Sequence, residues 1–283
     1  MLVTRIKTAV VLFVLIFLVL FVLPGWTWIV FASLLAGLGF WEWLRLTPAP
    51  YTSPIARIVL ALLLGNVLAA LALAAPVFMM AWLTGISLLV GSVFWLLVVP
   101  LWLVKRWELR QPFVHFIVGL VLLVPAWCAL VSLKSVPAWC ALVSLKSVPP
   151  EPWLLLATMA VPWIADIGAY FAGKQFGKRK LAPAISPGKT WEGVAGAAVC
   201  MMIYAIAMNQ VGGIFTALSV PVLLLLLVLS VTGDLFESLM KRQAGIKDSS
   251  QLLPGHGGVL DRIDSQLSVL PVALLMIILA VGH

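Results

Sequence analysis

The sequence predicts an all-α, polytopic helix bundle in a membrane, and three observations carry that prediction. Of 283 residues, 63% come from the set Ala, Val, Ile, Leu, Met, Phe, Trp, Tyr and Cys, whereas a soluble domain is about 45–50% apolar even with glycine counted. Charged residues make up only 10%, against about 25% in ordinary globular chains. The apolar residues also fall into uncharged runs near the ~20 residues that a spanning helix needs. A globule of this size has too much surface for its volume to hide such an inventory from water. Helices are required because lipid offers no partner to free backbone groups.

The spans follow in chain order. Thr8–Leu23 and Trp26–Trp41 are the first two, broken by Pro24-Gly25. Ile58–Pro76, Val77–Val104 and Gln111–Leu133 are the third to fifth. Pro152–Phe171 is the sixth and holds one acid, Asp166. Gly193–Gly233 is uncharged and divides at Asn209-Gln210-Val211-Gly212-Gly213 into the seventh and eighth, and Ser265–Gly282 is the ninth. No small-x-small cleavage site follows the first run, so it reads as a retained span rather than a signal peptide.

Basic residues collect on the cytoplasmic side of membrane proteins. With a cytoplasmic N-terminus, the outer side keeps only Lys134 and Lys146 of the 18 lysines and arginines. The expected topology is therefore about nine spans, N-terminus cytoplasmic and C-terminus periplasmic. Residues 1–110 form an N-terminal set of about four spans. Residues 111–283 form a catalytic region of about five, with inner loops at 172–192 and 234–264.

Other classes are excluded. Disorder needs low hydrophobicity. Three cysteines, Cys128, Cys140 and Cys200, do not make a disulfide scaffold. The net charge of +8 is dispersed through short loops, as topology requires, so no nucleic-acid partner is expected. A perfect repeat, VPAWCALVSLKS at Val124–Ser135 and again at Val136–Ser147, spans only ~18 Å as a helix, too short to cross the membrane. It reads as a tandem duplication that lengthens the fifth helix or forms an outer hairpin.

Polar groups are expensive in a bilayer, so their clustering is informative. The first cluster runs from Asp166 to Glu192. Asp166 lies inside the sixth span and needs a cation, a partner or water. Ser186-Pro187-Gly188-Lys189-Thr190 directly precedes the seventh helix. It is expected to open that helix as a phosphate cradle, since free N–H groups and the positive helix end would face the anion. It lacks P-loop spacing. The neighbouring Lys178, Arg179 and Lys180 are equally explained by topology and attraction to lipid headgroups.

The second cluster runs from Gly233 to Asp264. Asp234, Glu237, Ser238 and Lys241 share one helical face by their i, i+3, i+4, i+7 spacing. Asp261, Asp264, Ser265 and Ser268 repeat that spacing on the ninth helix. Four acids at the inner end of two helices make a hard-oxygen site suited to Mg²⁺, which completes its shell with phosphate and water. Lys241, Arg242, Lys247 and Arg262 suit a polyphosphate. Pro254-Gly255-His256-Gly257-Gly258 is a turn that lets backbone approach a ligand. His115 and His283 are assigned no role.

The run Ser238-x2-Lys241-Arg242-x4-Lys247-Asp248-x-Ser250-x2-Leu253-Pro254-x-His256-Gly257-Gly258-x2-Asp261-Arg262-x-Asp264 resembles the signature of the phosphatidate cytidylyltransferases, the CDP-diacylglycerol synthases. The segment from Asp166 through Ser186-Pro187-x-Lys189-Thr190-x-Glu192-Gly193 is also similar to that family. The resemblance implies that CTP and phosphatidic acid give CDP-diacylglycerol and pyrophosphate with Mg²⁺, a second cation being left open. It implies a homodimeric enzyme of the bacterial inner membrane whose site faces the cytoplasm. It puts the metal on Asp234 and Asp261 first, with Asp264 and Glu237 as further candidates. Lys189, Lys241 and Arg242 would hold triphosphate or the lipid headgroup, Ser186 and Ser238 would contact phosphate, and Thr190, Lys247, His256 and Arg262 complete the substrate-binding set. The competing readings are a CTP-dependent kinase of a polyprenol-type lipid and, on the residues alone, an ion-coupled transporter with Asp166 as relay. Against the transporter, the acids gather at one membrane face rather than at the midplane.

Overall fold

The computed structural model describes residues 2–47, 53–134, 153–212 and 219–281. Helix α1 (Leu2–Phe17) runs on through a π-turn at Leu18–Val22. Leu23 is extended and Pro24 precedes α2 (Gly25–Arg45), so Pro-Gly divides the first two runs as expected. Helix α3 (Pro54–Ala74) has Ser53 as its cap. Helix α4 (Val77–Val93) continues through a π-turn at Phe94–Val98 into α5 (Val99–Lys105), which Arg106 ends in the left-handed conformation. Helix α6 (Pro112–Lys134) and α7 (Trp153–Phe176) follow, then β1 (Lys180–Ala182), β2 (Ser186–Thr190), α8 (Trp191–Gly212), α9 (Ser219–Gln243) and α10 (Leu260–Val281).

Eight of the described helices are long and apolar enough to cross a membrane, α4 and α5 counting as one. The expected first span, Thr8–Leu23, lies almost wholly in the continuous helix Leu2–Val22, whose apolar part Lys7–Val22 is a shorter apolar helix than those eight. Large apolar side chains such as Phe78 and Phe113 are exposed around the bundle, as a lipid-facing surface requires. Prolines 125, 162 and 271 lie inside helices, as membrane-spanning helices tolerate.

Val124–Lys134 of the first copy form the C-terminal part of α6, with Cys128 buried in the core. The second copy, including Cys140 and Lys146, and also His283, lie outside the described residues.

Two packing features position the polar residues. Phe236 on α9 is buried and meets Trp95 and Trp102 edge-on at 5.8 and 5.5 Å, with Trp43 stacked at 6.2 Å. That cage fixes the rotation of α9, and with it the direction of the neighbouring polar face. Helices α9 and α10 meet at Gly233, where a Cβ would lie 2.6 Å from Ser268 Oγ and 2.8 Å from the Asp264 carbonyl oxygen. The close approach lets Ser265 Oγ and Ser268 Oγ donate to the carbonyls of Ser230 and Leu229. Small residues likewise bring α7 against α8: a Cβ on Gly168 would come 2.8 Å from Cys200 Sγ, the close packing that membrane helices use.

Ser186–Thr190 directly precedes a helix, as expected, without being helical itself. It is strand β2, antiparallel to β1 with Lys180 opposite Thr190 and Ala182 opposite Ser186. Pro187-Gly188 suits no helix interior. The helix begins only after Thr190, whose Oγ1 accepts from the Gly193 N–H at 3.1 Å in the manner of an N-cap. Glu192 in the first turn accepts from the backbone of Lys178 and Arg179 at 3.1 and 3.2 Å. Thr190 and Glu192 thus tie the start of α8 to the preceding hairpin.

Candidate active site

Strand β2 lifts Lys189 out of the helical register and aims it at α9. Its Nζ lies 2.7 Å from Asp234 Oδ2 and 3.4 Å from the Val231 carbonyl oxygen. Asp234 also accepts from Ser238 Oγ, one helical turn on, at 3.2 Å. Asp166 of α7 joins them, within the electrostatic reach of Asp234, Lys189 and Arg262. Asp264 of α10 feels Asp234, Asp166 and Lys189 in turn. Asp234 thus pairs directly with the strand-borne ammonium, and Asp166 and Asp264, from two further helices, lie near enough to act on the pair electrostatically. Asp264 Oδ1 accepts from the following N–H, that of Ser265, at 2.7 Å.

A second constellation sits beside the first. Lys241 Nζ bridges Glu237 Oε2 at 2.8 Å and Asp261 Oδ1 at 2.6 Å, and all three side chains are almost enclosed, at 13%, 5% and 5% exposed. Asp261 Oδ2 takes the Ser249 N–H at 3.0 Å, Ser249 Oγ at 3.0 Å and the Gly258 N–H at 2.7 Å. Both Asp261 oxygens are committed. Glu237 keeps one buried oxygen, Oε1, without a hydrogen-bond partner. Glu237 also senses Asp264, which joins the two constellations electrostatically.

The segment between α9 and α10 folds back on itself. Leu253 pairs with Gly257, the His256 N–H bonds to the Leu253 carbonyl at 2.9 Å, and Gly255 and Gly257 have φ of 77° and 81°. The turn does bring backbone close to a charged group, but that group is the protein's own: a Cβ on Gly257 would come 2.6 Å from Asp261 Oδ2. His256 Nδ1 is buried without a partner. Arg242, Lys247 and Arg262 are exposed, and Ser186 is half-buried at the start of β2.

The four acids singled out from the sequence thus gather at one end of α9 and α10, split between Lys189 and Lys241. No group of three His, Cys, Asp or Glu side chains is already arranged around a metal-sized space among the described residues. The donor chemistry suits a hard cation nonetheless, since Asp166, Asp234 and Asp264 offer oxygens only.

Two participants escaped the sequence reading. Ser249 lies within the signature-like run but carries no weight in its pattern. Glu42, on α2, is 0% exposed. Its carboxylate accepts from Ser249 Oγ at 3.0 Å, Ser250 Oγ at 2.5 Å, the Val259 N–H at 3.0 Å and the Leu260 N–H at 2.6 Å. A signal existed: Glu42 is the first acid in the chain, and the next is Glu108.

Comparison with known proteins bears on this arrangement. The sequence profile of the Cytidylyltransferase family matches residues 3–280. A phosphatidate cytidylyltransferase of Pseudomonas aeruginosa is 41% identical over 280 residues, covering 96% of this chain and 95% of that protein. The enzyme of the same name from Haemophilus influenzae is 33% identical over 302 aligned positions, covering 96% of each. The Bacillus subtilis one is 50% identical over 117 residues, 39% of this chain and 42% of that protein.

Proposed function

The chain belongs to the cytidylyltransferase family, and on that premise we propose that it transfers the cytidylyl group of CTP to phosphatidic acid, yielding CDP-diacylglycerol and pyrophosphate. A phosphate oxygen of phosphatidate attacks the α-phosphorus of CTP, a new P–O bond forms, and the bond to the bridging oxygen of the β-phosphate breaks. An ionised phosphate monoester attacks and an ionised pyrophosphate leaves, so no proton has to be removed and no general base is needed. The obstacle is electrostatic, because two polyanions must touch. Neutralising charge in a site of low dielectric is the main means of lowering such a barrier.

The observation that most supports this reading is the ion pair of Lys189 with Asp234, which joins strand β2 to α9, with Asp166 and Asp264 within electrostatic reach of it. In this proposal Mg²⁺ would be held by Asp234 with Asp264 and Asp166, which offer the hard oxygen donors that such an ion prefers. When bound, the ion supplies positive charge to the triphosphate. Asp261 is tied to Lys241, Ser249 and Gly258, which favours a role in holding Lys241 over a role as first ligand. Lys189 and Arg262 attract phosphate oxygens, with exposed Arg242 and Lys247 drawing the nucleotide in from solvent. Ser238 orients Asp234. Ser186, Thr190 and His256 complete the proposed substrate-binding set. The acyl chains stay in the bilayer, which is why such a transfer needs spans at all.

The basic-residue bias and the cytoplasmic supply of CTP support a site on the cytoplasmic side of a bacterial inner membrane, and family resemblance supports a homodimer. Purified protein given phosphatidate vesicles and CTP labelled at the α-phosphorus tests the reaction. Label entering the lipid fraction, lost with EDTA and restored by Mg²⁺, is expected. Label entering lipid from γ-labelled CTP instead would identify a lipid kinase and overturn the reading.

A further inference from the structure

We infer that Glu42 is a positioning residue for this transfer: from α2 it anchors the 249–260 segment, and so sets Asp261 and Lys241 in place. The inference rests on the reading of the site given above.

The geometry behind it is specific. Four donors converge on one carboxylate, two serine hydroxyls and two backbone N–H groups, and all belong to the segment joining α9 to α10. The two N–H groups, from Val259 and Leu260, are at the first turn of α10. An anion is favoured there by the helix dipole and by donors that lack partners within the helix. Burying a carboxylate is costly unless its lone pairs are satisfied, and satisfying this one requires the whole segment in a single conformation. The carboxylate therefore acts as a template, and few alternative loop arrangements supply four donors at once.

The link onward to the site runs through Ser249. Its Oγ lies 3.0 Å from Glu42 Oε2 and also 3.0 Å from Asp261 Oδ2. One hydroxyl carries one proton, so the two carboxylates share it. Asp261 also takes the backbone N–H groups of Ser249 and Gly258, the same strip of chain that Glu42 holds. Asp261 then meets Lys241, and Lys241 meets Glu237. Movement of the segment away from Glu42 would carry Asp261 with it and turn Lys241 elsewhere. Gly258 closes the junction: a Cβ there would stand 2.6 Å from both Glu42 oxygens and would overlap Ser249 Oγ. A side chain is excluded at this position because the carboxylate occupies the space. Glu42 reaches no substrate in this scheme and acts only through the acid–serine–acid bridge.

The test compares wild type with Glu42→Gln and Ser249→Ala, each purified in detergent and assayed with α-labelled CTP and phosphatidate. Glu42→Gln keeps the shape but turns an amide toward N–H donors. Its kcat per folded molecule is expected to fall about ten- to a hundred-fold, the scale of loss when reacting groups are displaced by an ångström, with KM for CTP within about two-fold. Ser249→Ala cuts the bridge while leaving Ser250 and both N–H groups on Glu42. It is expected to lower kcat similarly, and the double variant to lose no more than the larger single loss, since coupled residues are not additive. Wild-type kcat in folded Glu42→Gln would overturn the inference. Should that variant fail to fold, wild-type kcat in Ser249→Ala would overturn it equally. Additive losses in the double variant would mean two separate structural effects and would also refute it. If wild type itself moves no α-label into lipid, the functional reading fails rather than the role of Glu42.

Discussion

The ammonium of Lys189, carried on strand β2, lies 2.7 Å from the carboxylate of Asp234, carried on the C-terminal half of α9. Strand and helix are 42 residues apart along the chain at their nearest recorded contact, from Lys189 to the Val231 carbonyl. The pair joins the two polar clusters of the sequence into one site. It also explains how an acid can be tolerated in α9 before any nucleotide arrives.

Asp234 is expected to be indispensable. Asp234→Asn leaves Lys189 a neutral partner of the same shape, so folding should survive while turnover falls by about a hundred-fold or more, the size of loss when one charge-stabilising group is removed. Mg²⁺-dependent incorporation of α-label into lipid, set beside the size-exclusion profile, measures it. Undiminished turnover would remove Asp234 from the site.

Lys189 should tolerate arginine poorly and methionine not at all. A guanidinium carries the charge but needs a different donor geometry from an ammonium. Steady-state kinetics should show kcat/KM lowered by about a hundred-fold in Lys189→Met, with Lys189→Arg in between. Equal activity in all three proteins would contradict the phosphate-binding role.

Lys241 is predicted to matter for stability as well. Removing it strands the nearly enclosed Glu237 and Asp261 without their shared cation, and breaking a buried pair costs about 3–5 kcal/mol. Lys241→Met should therefore melt well below wild type in detergent. Adding Glu237→Gln should recover part of the loss, because it removes one of the stranded charges. A melting temperature unchanged by Lys241→Met would show that the bridge contributes nothing to the fold.

Gly258→Ala should cost about 1–3 kcal/mol, the usual penalty of forcing atoms into a filled interior, and should reduce turnover by dislodging Ser249 from Glu42. Thermal unfolding and the same lipid-labelling assay report the two effects separately.

Topology is testable at the β-hairpin. In a variant with Cys128, Cys140 and Cys200 replaced by alanine, a cysteine at the exposed Arg179 position should react with a membrane-impermeant maleimide in inverted inner-membrane vesicles and not in intact spheroplasts. The opposite pattern would reverse the proposed orientation.

Much of this was legible from residue order, for reasons that differ by element. Span positions were readable because charge is excluded from hydrocarbon, so Pro24-Gly25 and the basic loops punctuate the chain. The polar faces of α9 and α10 were readable because the spacing of Asp234, Glu237, Ser238 and Lys241 repeats at 261–268 and both segments prove helical. The strand at Ser186–Thr190 was hidden because a Ser/Gly/Lys/Thr run ahead of a helix looks the same whether it only caps that helix or also pairs with a strand. The pairing partner, Lys180–Ala182, is too short to announce itself. The commitment of Asp261 to Lys241 and the loop was hidden for a related reason, since contacts across a turn leave no periodic trace. Glu42 went unread because it sits at the end of an apolar run more than two hundred residues from the segment it binds.

The neighbour of Glu42 carries a consequence of its own. Trp43 Nε1 donates to the His115 carbonyl at 2.8 Å, His115 Nε2 lies 2.8 Å from the Trp43 carbonyl, and the rings stack at 4.6 Å. A carbonyl accepts only from a protonated nitrogen, so the imidazole holds its hydrogen on Nε2. This reciprocal clasp pins α2 to α6 and stops it from rolling about its axis. The opening helices are thus not a detachable tether for a self-sufficient C-terminal half. A shortened polypeptide beginning after residue 47 would retain the entire signature yet forfeit the carboxylate around which that signature is wrapped.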